Sequence, residues 1–449
     1  IPPILINTAF SLFFFHTYVI LFIYHRKEKL SMRSVKEMPY HRGLVVKLYP
    51  TDEQKRLIAV NDGAKRAVYN FLVAANNELY QLGKVKTYLK PVAERIAYLK
   101  GVLASTSAIQ NALPFLYGDD VDSQAVANAK QNYRRAWKNQ KELHTGVPQF
   151  KKKGMQQSYQ TNAHYRKDAR SLNESNLRFI SKHRVKMPIL GIVQFAGSPK
   201  EIEMLFSHTQ QTRIGGVCIS RDSVGEYWAS FSLASEYPFY EDLPKTGAMA
   251  GIDLNLTNLA STSDGEVYDN PRYLQKSEKS LKKAQRKLSR RYRHAKESGR
   301  ALRDCKNYQE QRKKVAKIQR QIARQREDYL HILSKREVEN QDFLAAEDLK
   351  VKNLLKNHTL AKAVSDAGWR SFLTMLDYKA SWYGKEFVLV PPQYTTQTCS
   401  NCGYVLKNEE RLPLSVREWI CPACRIHHNR DVNAAQNILN KALQQAGYA

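Results

Sequence analysis

Residues 248–262 read AMAGIDLNLTNLAST, and this stretch indicates how the second half of the chain folds. The apolar run Ala248–Asp253 ends in an acid, and a second run, Asn258–Thr262, follows before a turn at Asp264-Gly265. Short apolar runs bounded by turn residues are typical of buried β-strands. The stretch therefore predicts a β-hairpin whose first strand is buried and ends in the carboxylate of Asp253.

Two further acids stand in comparable positions. Phe343–Glu347 is another apolar run that ends in an acid, and Asp431 stands directly before the helical run Val432–Leu439. An RNase H-like fold presents its first metal-binding carboxylate at the end of a buried strand that is followed by a hairpin. We therefore expect the three acids to converge, because phosphodiester hydrolysis uses two divalent ions roughly 4 Å apart. Hard oxygen ligands suit Mg²⁺ or Mn²⁺.

Each of these acids also has a purely structural interpretation. Asp253 could be a turn residue, and Glu347 could cap the following helix together with Asp348. Asp431 stands where a helix N-cap residue belongs, since Asp at that position accepts hydrogen bonds from the first backbone N–H groups. The order and context of the three acids favour the metal site.

Cysteine spacing predicts a second metal site. Two Cys-x-x-Cys pairs are separated by 18 residues, a spacing close to that of a structural zinc site; the four residues are Cys399, Cys402, Cys421 and Cys424. His427 and His428 are alternative ligands, although four thiolates complete a tetrahedral site without them. Cys218 and Cys305 stand alone and are expected to be ordinary thiols. Six cysteines in 449 residues exclude a disulfide scaffold.

The charge of the chain indicates a polyanionic partner. Lys and Arg number 71 against 42 Asp and Glu, a formal charge of +29, with an ordinary hydrophobic content of 43%. Nucleic acid is the first expectation for such a partner and an anionic membrane surface the second. Residues 271–336 alone carry 23 basic against 6 acidic residues. Apolar residues at helical spacing on either side of Gly299 predict a hairpin of two amphipathic helices with a basic exterior.

The first half of the chain changes from helix to strand signals. A strand at Gly43–Tyr49 precedes Thr51, which is expected to cap a helix in a capping box with Gln54. Two further helices are expected around residues 91–102 and 123–143, where Tyr133 and Trp137 either stack on bases or pack in the core. Short strands are expected between residues 150 and 244. Lys151–Lys153 form a loop that could meet phosphates or a merely solvated turn.

The N-terminal stretch has two interpretations. Ile4–Ile23 is almost wholly apolar and is followed by a basic cluster at residues 25–29, which is the pattern of a membrane span. We expect residues 1–37 instead to be an upstream extension or leader, with the natural start at Met32 or Met38. The protein is then expected to be cytoplasmic and associated with the nucleoid. A signal anchor is the alternative.

Several ordered motifs together resemble the TnpB family, the OrfB-type proteins of bacterial insertion sequences. Besides the four cysteines they are Leu48–Gln54, Val121–Gln124, Gly251–Leu254, Asn270–Tyr273, Glu347–Leu349, Ser365–Trp369 and Arg430–Ala435. The resemblance extends from Tyr40 to the C-terminus. It implies an RNA-guided DNA endonuclease of insertion sequences, related to type V CRISPR effectors, with a guide RNA from its own locus and double-stranded DNA as partners. It also implies structural Zn²⁺ and catalytic Mg²⁺ or Mn²⁺.

The resemblance also implies a multidomain α/β plus all-β fold. The expected parts are a β-barrel wedge domain (38–52 and 147–244), a helical recognition insert (53–146), a RuvC (RNase H-like) nuclease domain (245–392 and 428–449) that carries the basic hairpin 271–336, and an inserted zinc module (393–427). By motif position Asp253, Glu347 and Asp431 are the RuvC acids. The family commonly has Asp-Arg-Asp where this chain has Asn429, Arg430 and Asp431.

Two other functions remain open from the sequence. A catalytically silent RNA-guided DNA-binding regulator is the main alternative, although all three acids are present. A transposase that acts directly in strand transfer is less favoured, since no tyrosine or serine recombinase constellation stands out.

Overall fold

The computed structural model describes residues 34–85, 88–154, 156–354, 356–358, 360–413 and 415–448. The chain divides into two compact units at Tyr237/Pro238. The apolar N-terminal stretch, for which a leader and a membrane anchor were both considered, lies outside the described residues. Within the described ranges, no helix combines the length and the apolar character that crossing a bilayer requires.

The described residues of the first unit form an antiparallel sheet of seven strands. These strands are β1 (Tyr40–Tyr49), β2 (Gln157–Asn162), β3 (Arg178–Ser181), β4 (Arg184–Met187), β5 (Gly191–Ala196), β6 (Thr212–Arg221) and β7 (Tyr227–Ser235), in the order β2-β6-β7-β1-β5-β4-β3. Alternate residues of β1 are buried, among them Leu44, Val46 and Leu48, because successive side chains of a strand point to opposite faces. The strand β1 thus pairs with strands that follow more than a hundred residues later.

The helices that precede β2 form a separate core, whereas the last helix of the first unit contacts the sheet, where Phe206 packs against Phe179. The helices of this unit are α1 (Asp52–Leu82), α2 (Lys90–Ala104), α3 (Thr106–Ala112), α4 (Ser123–Leu143) and α5 (Pro199–Ser207), with a 3₁₀ turn at Pro114–Tyr117. The predicted capping box of Thr51 and Gln54 is confirmed at the start of α1. Tyr133 is buried in the helical core and Trp137 packs against that core. The packing interpretation therefore holds for both rings.

The second unit contains a mixed five-stranded sheet. Its strands are β8 (Met249–Leu254), β9 (Asn258–Thr262), β10 (Val267–Asp269), β11 (Phe343–Glu347) and β12 (Glu386–Val390), in the order β10-β9-β8-β11-β12. The predicted hairpin is β8–β9, which is antiparallel, whereas β8, β11 and β12 run parallel to one another. A short ribbon, β13 (Glu418–Ile420) with β14 (His427–Asn429), lies in the cysteine-rich region. The predicted combination of α/β and all-β parts is confirmed; the boundaries given for the individual domains stay a prediction.

Among the residues that the structure describes, six α-helices complete the second unit. They are α6 (Tyr273–Glu297), α7 (Lys306–Asn340), α8 (Val351–Leu354), α9 (Ala361–Ala367), α10 (Trp369–Trp382) and α11 (Arg430–Ala446). The predicted basic hairpin consists of α6 and α7. Gln311 of α7 is buried and donates a hydrogen bond to the carbonyl oxygen of Ala284 in α6, at 3.0 Å. The apolar side of α7 packs into the main core of the unit through Leu330, Leu333 and Val338.

The helix α11 packs directly on the middle of β8, and this contact needs a glycine. A Cβ atom on Gly251 would lie 2.8 Å from the backbone nitrogen of Leu439 and closer still to the carbonyl oxygen of Ala435. Both obstructing atoms belong to backbone and cannot rotate away. The absence of a side chain at Gly251 therefore sets the distance between α11 and the sheet.

Substituting Gly251→Ala should push α11 off β8. Overpacking a closely packed contact typically costs about 1–3 kcal/mol, and here the strain falls on the helix backbone. We expect faster hydrogen exchange of the amides in residues 430–446. Gly43→Ala is a matched control in another strand, because a Cβ atom there meets nothing within 4 Å. Unchanged protection of α11 in the Gly251 variant would contradict the packing argument.

Candidate active site and metal centre

Asp253 and Glu347 lie at the carboxyl ends of two neighbouring parallel strands. The register pairs Ala345 with Gly251 and Ala346 with Ile252, so that the two acids follow next on β8 and β11. Both residues are buried, each 7% exposed. Because parallel strands end at the same edge of a sheet, the register turns two distant positions in the sequence into neighbours. Asp253 lies within β8 and is not a turn residue.

Asp431 reaches the same region from the first turn of α11. The N-cap of this helix is Asn429, whose side-chain oxygen accepts hydrogen bonds from the backbone nitrogens of Asp431 (3.1 Å) and Val432 (3.2 Å). The interpretation of Asp431 as the N-cap is therefore wrong. Asn is about as good a cap as Asp, so that Asn429 suffices to start this helix.

The pKa of Asp253 shows that the other two acids lie close enough to act on it electrostatically. The pKa of Asp253 is raised to about 8; burial is the largest cause, followed by the negative charges of Glu347 and then Asp431. The guanidinium groups of Arg430 and Arg417 act in the opposite direction without offsetting this effect. The three carboxylates are not all within 4.8 Å of one another, a wider spacing than three ligands of a single ion would have.

Glu347 is oriented by a threonine that the sequence analysis did not identify. The Oγ1 hydroxyl of Thr395 donates a hydrogen bond to Oε1 of Glu347, and Nδ2 of Asn437 in α11 donates to the carbonyl oxygen of Thr395 at 2.8 Å. Burial raises the pKa of Glu347, whereas the hydrogen bond from Thr395 and the charge of Lys441 lower it. Helix α11 thus helps to position two of the three acids.

Arg417 is a second residue that the sequence analysis missed. Its Nη1 atom lies 3.1 and 3.3 Å from the two carboxylate oxygens of Asp431, and its Nη2 atom donates to Oγ1 of Thr257 at 3.1 Å. The residue lies between the two cysteine pairs, and Thr257 lies between β8 and β9. No spacing rule relates an arginine in a loop to an acid 14 positions later, so only the structure could reveal this ion pair.

The donor set at this edge fits divalent cations. Asp253 and Glu347 are buried carboxylates, and a buried acid beside other negative charges is expensive to ionise without a counter-charge. Among the ion pairs of the described residues, none joins a Lys or Arg to either acid, and only Asp431 has such a partner. Carboxylate oxygens are the ligands that Mg²⁺ and Mn²⁺ prefer. The residues present therefore suit divalent ions of this kind, with more than one ion needed to engage all three acids.

The four predicted zinc cysteines converge on one point. All four sulfur atoms lie within 4.8 Å of one another; Cys399 and Cys424 are 3.6 Å apart, and Cys402 and Cys421 are 3.7 Å apart. Zinc–sulfur bonds of about 2.3 Å in a tetrahedron imply sulfur–sulfur distances of about 3.8 Å. Burial raises the pKa of Cys399 to about 12, so that its thiolate needs a nearby cation. The cluster fits a tetrahedral zinc ion.

The two histidines near this cluster differ in their surroundings. Nε2 of His428 lies 3.1 Å from Sγ of Cys399, and its ring stacks on Trp419 with centroids 4.9 Å apart. Burial lowers the pKa of His428, which favours the neutral imidazole, and the tautomer that carries its proton on Nε2 would donate to the sulfur. His427 is exposed and lies 3.6 Å from the Glu418 carboxylate. Neither histidine joins the four-sulfur cluster, and Cys218 and Cys305 lie outside it.

Comparison with known families connects three parts of the chain to insertion-sequence and CRISPR proteins. Residues 38–84 match the model of a helix-turn-helix domain of OrfB/IS605 proteins. Residues 230–358 match the OrfB/IS605 family described as "Probable transposase". Residues 369–438, which include the four cysteines and Asp431, match the Cas12f1-like TNB domain.

Relatives along nearly the whole chain carry the same kind of name. The "Putative RNA-guided DNA endonuclease" of Streptomyces pristinaespiralis is 31% identical over 90% of this chain and 89% of its own length. The "Putative RNA-guided DNA endonuclease InsQ" of Escherichia coli is 27% identical over 84% of this chain and 86% of its own length.

A solved structure supports the fold alone. A Cas12f1 protein, determined by cryo-electron microscopy in a complex with sgRNA and target DNA, matches 89% of this chain and 99% of its own with a TM-score of 0.50 at 11% identity. The sequence relatives carry the assignment of the family. Their coverage of both chains, together with the matched domains, means that this chain belongs to the TnpB family of insertion-sequence proteins.

Proposed function

We propose that this chain is an RNA-guided DNA endonuclease that hydrolyses phosphodiester bonds with divalent metal at Asp253, Glu347 and Asp431. The main support is the position of these acids: three segments far apart in the sequence bring them to one edge of the sheet, where burial and then the charges of the other two raise the pKa of Asp253. Perturbed acids clustered in this way are typical of functional sites. The names of the sequence relatives supply the RNA guide and the DNA substrate.

Each acid has a role that follows from its position. Asp253 and Glu347 lie on adjacent strands of the sheet and would bind the metal from that side. Thr395 fixes the orientation of Glu347. Asp431 would complete the site from α11. Divalent ions bound there would supply charge stabilisation for the attacking and leaving oxygens. Geometry held by strands and a helix is more precise than geometry held by loops.

Arg417 would act as a positioning residue. Its guanidinium neutralises Asp431 and bridges this acid to Thr257, so that α11 stays attached to the β8–β9 connection. The Asp431 side chain is 18% exposed, which leaves its carboxylate accessible to an ion.

The four cysteines would hold a structural zinc ion. Zinc sites with four thiolates have no open position for substrate, and the metal contributes directly to folding. His428 would support the site from outside by donating a hydrogen bond to Cys399.

The basic hairpin would hold the nucleic acid by its backbone. On α6 five cations surround one shallow cavity: Lys279, Lys282, Lys283, Arg286 and Arg290. Only Lys282 among them forms an ion pair within the described part of the chain, with Glu278 at 2.7 Å. An RNA-guided protein leaves sequence recognition to base pairing and contacts the heteroduplex mainly through its backbone. The silent-regulator alternative keeps this binding and lacks only the cleavage.

Removing any one acid should abolish cleavage and spare binding. We expect Asp253→Ala, Glu347→Ala and Asp431→Ala each to lose metal-dependent cleavage of a DNA target, because the ion clamp is incomplete. Co-purified RNA and DNA affinity should stay near wild type. The assay uses the protein with the RNA that co-purifies from its own locus, and the exposed Asp269→Ala in β10 is the control. Normal cleavage by one variant would exclude that acid from the catalytic site. If the unmodified complex does not cleave DNA, the result would favour the silent regulator.

The zinc site has an independent test. Elemental analysis should find one tightly bound zinc per chain, and Cys402→Ser should lower both the zinc content and the thermal stability, since the closed site contributes folding energy. Cys305→Ser is the matched control, because Cys305 lies on the hairpin and outside the cluster. Full zinc content in the Cys402 variant would refute the predicted ligand set.

The hairpin surface should dominate the salt dependence of binding. Replacing Lys279, Lys283, Arg286 and Arg290 with Gln should flatten the plot of log affinity against log salt by about 0.7–0.9 per lost phosphate contact. A matched variant changes four exposed cations of the first unit: Arg166, Arg184, Lys186 and Lys200. An unchanged slope in the hairpin variant would mean that this face is only solvated.

A further inference from the structure

A cavity of about 470 Å³ in the first unit collects cations from three separate parts of the chain. Lys65 and Arg66 lie on α1, Lys151 and Lys152 lie in the segment before β2, and Arg221 ends β6. The nuclease site uses none of these residues. The volume is in the range of small-molecule sites, large enough for a nucleotide-sized group.

The two acids that line the cavity already have partners. Asp62 accepts the backbone N–H of Ser158 at 3.1 Å and a hydrogen bond from Nη1 of Arg66 at 2.8 Å, which ties α1 to β2. Oδ1 of Asp222 accepts three backbone N–H groups, at 2.8–2.9 Å, in the turn between β6 and β7. Both acids stabilise the fold, and five cations against two acids leave an excess of three positive charges.

The segment that carries the two lysines is fixed in place. The side-chain amide of Asn70 donates to the carbonyl oxygen of Lys151 at 3.0 Å and accepts from its backbone nitrogen at 2.7 Å. The ammonium group of Lys151 lies 3.9 Å from the centre of the Tyr69 ring, and Lys65 donates to Oγ of Ser158 at 3.0 Å. The cations are therefore arranged before any ligand binds, which lowers the entropic cost of binding.

The side chain of Arg221 has a hydrogen-bond donor without an acceptor in the described part of the chain. Its Nε atom is buried and has no hydrogen-bond acceptor among the described residues, and an unpaired buried donor costs free energy. Loss of water and then repulsion from Lys65 lower the pKa of Lys151. A bound anion with several oxygens would satisfy the arginine and relieve the repulsion between the lysines.

We propose that this cavity binds phosphate groups of a nucleic-acid backbone. The proposal rests on the proposed function and deepens it, because it names a contact site for the RNA or DNA that the protein carries. Among the described residues that line the cavity none is aromatic, so that it offers no surface for stacking a base. Contacts to phosphate position a nucleic acid without reading its sequence.

The test measures binding of generic nucleic acid to the full-length chain. The variant combines Lys151→Gln, Lys152→Gln and Arg221→Gln, and the probes are a labelled 30-nucleotide single-stranded RNA and a 30-base-pair DNA duplex of arbitrary sequence. We expect the salt slope to fall by about 0.7 per lost contact on RNA or about 0.9 on duplex, and the affinity to fall roughly tenfold for two contacts at 0.15 M salt. The control with the same loss of charge is Arg184→Gln, Lys186→Gln and Lys200→Gln, at exposed positions of the same unit.

The outcomes separate the sources of the phosphate. A reduced slope on RNA assigns the cavity to the RNA backbone, and a reduced slope on duplex assigns it to DNA; either result supports the proposal. Unchanged slopes on both probes, or an equal loss in the control, would overturn it. If the triple variant does not fold, Lys152→Gln alone removes one exposed cation and should lower the slope by about 0.7 on RNA or about 0.9 on duplex. Neither probe needs to be cleaved, so failure here leaves the nuclease proposal standing, and loss of cleavage alone does not affect this one.

Discussion

The contact of α11 with β8 at Gly251 is the constraint on which the candidate site depends. Any side chain at this position would meet the backbone of the helix, so the glycine determines how far Asp431 lies from Asp253. Ala434 and Ala435 on the facing side of the helix are fully buried and small. The two carboxylates come from segments almost 180 positions apart, and backbone packing sets the distance between the helix and the strand that carry them.

This packing concentrates negative charge at a buried edge. Such an arrangement is unfavourable in isolation because burial and mutual repulsion both disfavour ionised carboxylates, and the raised pKa of Asp253 reports both effects. The protein compensates for only part of the charge, through Thr395 at Glu347 and Arg417 at Asp431. The negative charge that these residues leave uncompensated is the physical reason to expect cations beside the three acids. The rest of the chain carries a large positive excess that attracts the opposite kind of partner, a polyanion.

The sequence predicted those parts of the structure that short-range patterns determine. Alternating and continuous apolar runs located β1 and the hairpin β8–β9, helical periodicity located α1 and the basic hairpin, and cysteine spacing located the four-sulfur cluster. The sequence pattern around Asp431 was ambiguous, because an acid directly before a helix is often an N-cap. The hydrogen bonds that Asn429 accepts show that Asn429 is the N-cap instead. Thr395 and Arg417 could not be found in this way, since each acts across a tertiary contact from an irregular segment.

The hydrogen bonds of α11 show that several polar residues near Asp431 have structural roles. Asn433, two residues after this acid, accepts from the backbone nitrogen of Ser400 and donates to the carbonyl oxygen of Thr398, both at 2.8 Å. Asn437, one turn further on, donates to the same Thr398 oxygen at 2.6 Å. Cys399 lies between Thr398 and Ser400, so that one end of the cysteine cluster is anchored on the helix that carries Asp431. Arg417, between the cysteine pairs, contacts that acid from the other side. A change that loosens the cluster should therefore disturb the carboxylate site through α11, although no cysteine belongs to it.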